Sequence, residues 1–249
     1  MPSSSLTIGV LAGGLGVGLA LALLRRARRP PKGVLWANPI TTCSRRVIAA
    51  CVEAGVDFDL VSLDFQKLEH KQPEYMKLQP YGKVPAWQDE TGVNIFESRA
   101  LMNYVAGGSS LVPTDAAARA VMDQWISVEY SYFHPAFLPI FYMRVINKMP
   151  LDEKLCAAKR LELEATLDTM EARLQCSGYL AGDAFTLADL TYMCYFEVFA
   201  PTGVADTLDT RPALAAWWAK CRARPAWQYT ISGKVVEDRK PRVDPLGRY

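Results

Sequence analysis

The 249-residue chain has little cysteine patterning and no large excess of charge of either sign. Its six cysteines (Cys43, Cys51, Cys156, Cys176, Cys194, Cys221) are scattered and include no Cys-x-x-Cys pair. Neither a zinc knuckle nor a two-cysteine redox centre is therefore spelled out, and no metal is expected. A chain of this size folds without disulfides, and the spacing suits thiols kept reduced. The formal net charge is +2, yet Arg25, Arg26, Arg28, Arg29 and Lys32 all precede Gly33 and leave 23 basic against 26 acidic residues beyond it. A body at −3 offers no broad basic face, so nucleic acid is not an expected partner. No internal repeat is visible, and the hydrophobic half of the composition excludes a disordered chain.

From Leu6 to Leu24, 19 residues carry no charge, and as a helix they would span about 28 Å. That length approaches a bilayer core of about 30 Å. Four arginines and Pro30-Pro31 follow, and Met1 to Ser5 has no basic side chain. The pattern predicts a single N-terminal transmembrane helix in a single-pass membrane protein, its body held in the cytosol by the arginines. A cleaved leader is the alternative, with Ala20-Leu21-Ala22 as its small-x-small site.

After Gly33 the periodicities alternate. Gly33 to Ala37 predicts a strand, Asn38-Pro39-Ile40-Thr41 a turn, and Val47, Ile48, Cys51 and Val52 a helix that stops near Gly55. Phe58 to Leu63 predicts a second strand and Gln72 to Leu78 a short helix. Val84 to Trp87 and Val93 to Phe96 flank a turn and predict a hairpin, and Ser98 to Val105 predicts a closing helix. The order βαβαββα is that of an α/β thioredoxin-like domain.

Strand patterns then cease. Ala116 to Asn147, Asp152 to Cys176, Thr186 to Phe199 and Pro212 to Arg224 space apolar residues by three and four, which predicts an all-α helical-bundle domain. Thr186 with Asp189 forms a capping-box pattern, and Phe185 precedes it as a staple. The expected divisions are 1–32 for anchor and basic linker, 33–112 for the thioredoxin-like domain, 113–118 for a linker, 119–232 for the helical domain and 233–249 for a draping tail.

Three motifs carry chemistry: Glu69-His70-Lys71, Leu78-Gln79-Pro80-Tyr81-Gly82-Lys83-Val84-Pro85, and Phe96-Glu97-Ser98-Arg99-Ala100. With Trp125 to Pro135 at the start of the helical half, they make Gly33 to Gln228 resemble the glutathione transferase superfamily, nearest its phi-like class. The resemblance implies a homodimeric detoxification enzyme that conjugates the glutathione thiolate to hydrophobic electrophiles or reduces lipid hydroperoxides, with glutathione as co-substrate and no other cofactor. A non-catalytic glutathione or apolar-ligand binding protein and a membrane-tethered interaction scaffold are the alternatives on the same fold.

It also implies the site. Glu97 and Ser98, at a helix start, would meet the γ-glutamyl end, where free N–H groups and the helix dipole favour a carboxylate. Val84 before a cis Pro85 would pair with the cysteinyl backbone, and His70, Lys71 and Lys83 would meet the glycyl carboxylate. In phi-like enzymes the thiolate takes a hydrogen bond from a serine six residues before the valine of an Arg-Val pair, a position that Thr41 occupies here. Thr42, Cys43 and Ser44 are neighbouring candidates, and Cys43 could instead form a mixed disulfide with glutathione. Tyr130, Phe133 and Phe137 are expected to wall the electrophile pocket, an aromatic stripe that would serve equally as core.

Overall fold

In the first half, the short central strands are buried almost throughout, and buried apolar side chains recur at helical spacing between them. The structure, a computed structural model, describes residues 32–242. Strands β1 (Gly33–Ala37), β2 (Phe58–Ser62), β3 (Ala86–Asp89) and β4 (Asn94–Phe96) form one sheet in the order β2-β1-β3-β4. β1 pairs in parallel with β2, Leu35 opposite Leu60, and antiparallel with β3, Leu35 opposite Trp87. A side chain at Gly33 would place its Cβ 2.2 Å from the Trp87 ring, which explains glycine at the start of the central strand.

Two helices cover one face of this sheet. Helix α1 (Thr42–Ala54) buries Val47, Ile48 and Cys51, and ends at Gly55, whose φ of 65° suits a residue without Cβ. The short α2 (Pro73–Met76) lies on the opposite face, where Tyr75 packs with Trp36, Val61, Leu63 and Ala86. Helix α3 (Ser98–Val105) completes the unit by burying Leu101, Met102 and Val105 beside α1. The expected thioredoxin-like topology is present, with its mixed sheet.

The helical half shares its core with α1 and α3. Helices α4 (Ala116–Val128) and α5 (His134–Arg144) are separated by a wide π-helical turn, Glu129–Phe133. The helical stretch expected from Ala116 to Asn147 is present as far as Arg144 and widens at this turn, because Pro135 has no N–H for the ladder and clashes with a regular preceding turn. α6 (Glu153–Leu174) packs against this pair, and α7 (Leu187–Phe196) is buried along its whole length. The Thr186–Asp189 capping box is formed, and Asp189 Oδ1 also accepts from Leu180 N–H and Trp217 Nε1, both at 2.9 Å. The short α8 (Phe199–Thr202), α9 (Pro212–Arg222) and α10 (Pro225–Ile231) follow.

The start of the expected draping tail is ordered against the sheet instead. α11 (Lys234–Asp238) buries Val235, and the Arg239 carbonyl accepts the Leu60 N–H at 2.6 Å on the open side of β2. An edge strand left bare would template unwanted pairing, and this segment occupies it.

The expected single-pass membrane placement is corrected: no helix among the described residues is long and apolar enough to cross a membrane. The run Leu6 to Leu24 that prompted it, and the transmembrane helix predicted there, lie outside the described residues.

Candidate active site

Three segments of the first half carry the expected glutathione residues: the start of α1, the turn before β3, and the start of α3. Thr41 caps α1, its Oγ1 accepting from Ser44 N–H at 3.3 Å. The same hydroxyl lies 3.0 Å from the Asn38 carbonyl and 2.7 Å from Ser44 Oγ, so it already has partners within the turn. Thr42 and Cys43 are half-buried in the first helical turn, while Ser44 is buried and accepts from Asn38 N–H at 3.2 Å. Beside this turn, Ile40 is 74% exposed.

The Val84–Pro85 peptide bond is cis. Downstream, Glu97 holds φ at +69°, a strained value for a residue with a side chain, and stands exposed without a capping bond. Strain of this kind costs about 1–3 kcal/mol and persists where surrounding structure imposes it, often at a functional site. It delivers Ser98, buried, to the first position of α3.

Ser98 is held from below by a charge. Arg46, on the buried face of α1 and fully enclosed, donates to Ser98 Oγ at 3.1 Å, to the Tyr195 hydroxyl at 2.9 Å and to the Thr191 carbonyl at 3.1 Å. It also pairs with Glu129 at 3.4 Å. Glu129, in the π-helical turn, accepts two bonds from Arg99 at 2.6 and 2.7 Å and one from Thr191 Oγ1 at 3.2 Å. Burial opposes charge on the Glu129 carboxyl, but Arg46 and Arg99 outweigh it and hold the group below its ordinary value. A lone buried charge would be costly, whereas here each ion is paired and bonded. The cluster fixes the head of α3 against the helical half.

His134 closes the network, its Nδ1 lying 2.9 Å from the Tyr195 hydroxyl. Burial lowers its pKa to about 4, with Glu129 opposing and Arg99 and Arg46 assisting, so the ring is neutral near pH 7.

The expected glycyl-end residues flank α2 in the chain. Glu69–Lys71 forms a single 3₁₀ turn. Glu69 accepts from Asp64 N–H at 2.8 Å, His70 sits 4.5 Å from the Phe65 ring, and Lys71 Nζ donates to the Tyr81 carbonyl at 3.2 Å. Lys83 is exposed and Val84 half-buried just before β3.

The expected electrophile wall is placed differently. Phe133 and Phe137 are 0% exposed and stack on each other at 5.7 Å and on Phe199, so they are core. The wide turn rotates them inward. Tyr130 alone of the three reaches the surface, where it covers the Arg99 guanidinium at 4.7 Å. Tyr142, toward the end of α5, is half-buried, and burial first and the Cys43 thiol second push its pKa up.

Sequence reasoning missed Arg46, Glu129 and Tyr142. Two of them left a trace: Arg46 lies within the apolar stripe of α1, and Glu129 is the lone acid between Asp123 and Asp152. Among the described residues no cluster of His, Cys, Asp and Glu could hold a metal ion.

Comparison with known proteins matches this architecture in both halves. The family model described as "Glutathione S-transferase, N-terminal domain" matches residues 31–107, and that described as "Glutathione S-transferase, C-terminal domain" matches residues 133–225. Glutathione S-transferase F10 of Arabidopsis thaliana is 37% identical over 76% of this chain and 92% of its own length. Glutathione S-transferase F9 of the same plant is 38% identical over 78% and 94%. The crystal structure of poplar glutathione transferase F1 superposes with a TM-score of 0.77 at 30% identity, covering 84% of this chain and 99% of that one. Glutathione S-transferase I from maize, in complex with an atrazine glutathione conjugate, gives 0.74 at 32% identity over 84% and 99%. With both halves matched, the chain belongs to the glutathione S-transferase family, as a phi-like transferase.

Proposed function

We propose that the protein binds glutathione along the first half of the cleft and transfers its thiolate to hydrophobic electrophiles that enter from the helical side. The observation that supports this most is the strained Glu97 presenting a buried Ser98 whose oxygen is fixed by Arg46. The γ-glutamyl carboxylate takes the Ser98 hydroxyl and the free N–H groups at the head of α3, and Glu97 takes the ammonium. The backbone of Val84 pairs with the cysteinyl unit, and His70, Lys71 and Lys83 face the glycyl carboxylate.

Thr41 donates to the thiolate by exchanging its bond to the Asn38 carbonyl, while Ser44 keeps its oxygen in place. The dipole of α1 favours the anion at this end. With an aryl halide, the sulfur forms a bond to the ring carbon and halide leaves, so positioning and thiolate stabilisation supply the rate. The same thiolate can reduce an organic hydroperoxide to its alcohol, two glutathiones leaving as the disulfide. Exposed Ile40 and half-buried Tyr142, one from each half of the molecule, wall the acceptor. The maize relative's complex with an atrazine conjugate is consistent with an acceptor of aromatic size.

A homodimer is the proposed assembly. Tyr81 and Tyr132 are 66% and 64% exposed, and Tyr132 lines a groove with Val128, Pro135 and Thr166 that a second copy can cover. The test of function is conjugation of 1-chloro-2,4-dinitrobenzene by the purified chain. Turnover saturable in glutathione and weakened in Ser98→Ala supports the reading, and binding of glutathione without turnover would leave only a carrier.

A further inference from the structure

The backbone ahead of the cis Val84–Pro85 bond is held from beneath by a side chain that no sequence motif names. Tyr75, the third residue of α2, is fully buried, and its ring packs with Trp36, Val61, Leu63 and Ala86, the same cluster that half-buried Val84 packs against. Its hydroxyl donates to the Lys83 carbonyl at 2.5 Å. An enclosed phenol needs a partner for its O–H, and this carbonyl supplies it.

The Lys83 carbonyl is one end of a peptide unit whose other end is the Val84 N–H. The unit is planar and trans, the cis bond lying one residue later, so its N–H and C=O point in opposite directions. Drawing the carbonyl inward to Tyr75 therefore turns the Val84 N–H away from the buried cluster. The β1–β3 ladder ends with Trp36 opposite Ala86, and Val84, two residues earlier, lies outside it. Its N–H is thus placed for an added strand. A hydrogen bond received at the carbonyl also polarises the amide and strengthens that N–H as a donor.

A second buried side chain secures the turn that leads there. Gln79 Oε1 accepts from the Tyr81 N–H at 2.7 Å and from the Lys83 N–H at 3.3 Å. Lys83 itself is exposed, yet its N–H is taken by Gln79 and its C=O by Tyr75. With both backbone groups bonded to buried side chains, the peptide plane between Lys83 and Val84 has little freedom to rotate.

We propose that Tyr75 is a positioning residue for the transferase reaction: through the single peptide unit between Lys83 and Val84, its hydroxyl aims the Val84 N–H at the cysteinyl carbonyl of glutathione. This rests on the pairing of Val84 with the cysteinyl unit. Tyr75 is enclosed beneath the site and acts only through that peptide, so its hydroxyl, and not the bulk of its ring, carries the effect.

The test compares, by calorimetry without acceptor, the binding of glutathione and of an analogue in which glycolate replaces the glycyl residue, so that the cysteinyl carbonyl becomes an ester and a weaker hydrogen-bond acceptor. The wild type is expected to bind glutathione more tightly than the ester. Tyr75→Phe keeps the ring in the core and removes only the hydroxyl; it is expected to raise the Kd for glutathione about 3- to 10-fold, the worth of one hydrogen bond, and to weaken the ester much less, so that the ratio of the two Kd values shrinks. Tyr104→Phe removes a hydroxyl bonded to Asp89, at the far end of β3, and is expected to leave both Kd values unchanged. A wild type that binds the two ligands alike overturns the pairing at Val84 and this proposal with it. A ratio kept in full by Tyr75→Phe, or both ligands weakened equally and to the same extent in Tyr104→Phe, overturns the part played by Tyr75 and leaves the pairing at Val84 standing.

Discussion

The thioredoxin-like half and the helical half meet at the same cleft but announce themselves differently in the sequence. The first contributes polar groups held by backbone geometry: a capped helix start, a cis Val84–Pro85 bond, and a strained Glu97 before Ser98. The second contributes one buried acid, while its stacked rings Phe133 and Phe137 fill the core instead. Polar side chains at fixed offsets have few structural uses, so their pattern points to chemistry. Aromatic side chains at helical spacing serve a core as well as a pocket, and only the path of the helix decides which.

The sharpest way to break this comparison is to remove the charge that joins the halves. Arg46→Ala leaves Glu129 buried beside Arg99 alone and Ser98 unsupported, and should cost about 3–5 kcal/mol, seen as a lowered Tm. Arg46→Lys should recover part of the stability without the fork that reaches Ser98, Thr191 and Tyr195 together. If Arg46→Ala unfolds like the wild type, the halves are held by apolar packing and the ionic cluster is incidental.

Removal of the chain from Gly233 onward is the next largest change. It exposes the open side of β2 and deletes the buried Val235 and the Leu60–Arg239 backbone bond. A loss of about 3 kcal/mol follows from one buried valine and one hydrogen bond, measured by urea unfolding, and the truncated protein should associate at high concentration through the bared strand.

Thr41 tests the polar half from within. Thr41→Ala should lower kcat/KM about 10-fold if its hydroxyl is worth about one pKa unit to the thiolate, and Thr41→Ser should retain activity. Because Thr41 also caps α1, Thr42→Ala serves as the comparison with the cap intact. A larger loss in Thr42→Ala would move the donor by one residue.

The smallest expected effect is a slope. His134 has its folded pKa lowered to about 4 from an ordinary 6.5, so the unfolded chain binds more protons between those values. The stability it contributes is therefore present above pH 6.5 and is lost as pH falls toward 4. His134→Gln should flatten the dependence of stability on pH across that window while leaving it unchanged above it. An unaltered slope would place the titration elsewhere.

How much could be read without coordinates follows the same division. The topology of the first half was legible, as were Thr41 at the start of a helix and Ser98 at the head of another, because strands, turns and helix starts each demand particular side chains there, whereas the cis bond before Pro85 was expected from the family resemblance. The electrophile wall was not. Glu129–Phe133 widens into a π-helical turn ahead of Pro135, and Phe133 and Phe137 lie in the core. A shift of one residue in helical phase is invisible to spacing arguments. Arg46 was hidden for a different reason: a buried arginine contradicts the usual placement of charge and makes sense only once Glu129, far along the chain, is brought beside it. The ordered tail was missed because its contacts are with β2, much earlier in the chain.

The central claim is that this cleft holds glutathione as its thiolate. Titration of the ultraviolet thiolate absorbance of glutathione bound to the purified protein, from acid to alkaline pH, tests it most directly. A bound thiol that ionises at least one unit below the free value of about 8.5 is the predicted result. A saturated complex whose thiol ionises where the free one does would contradict it.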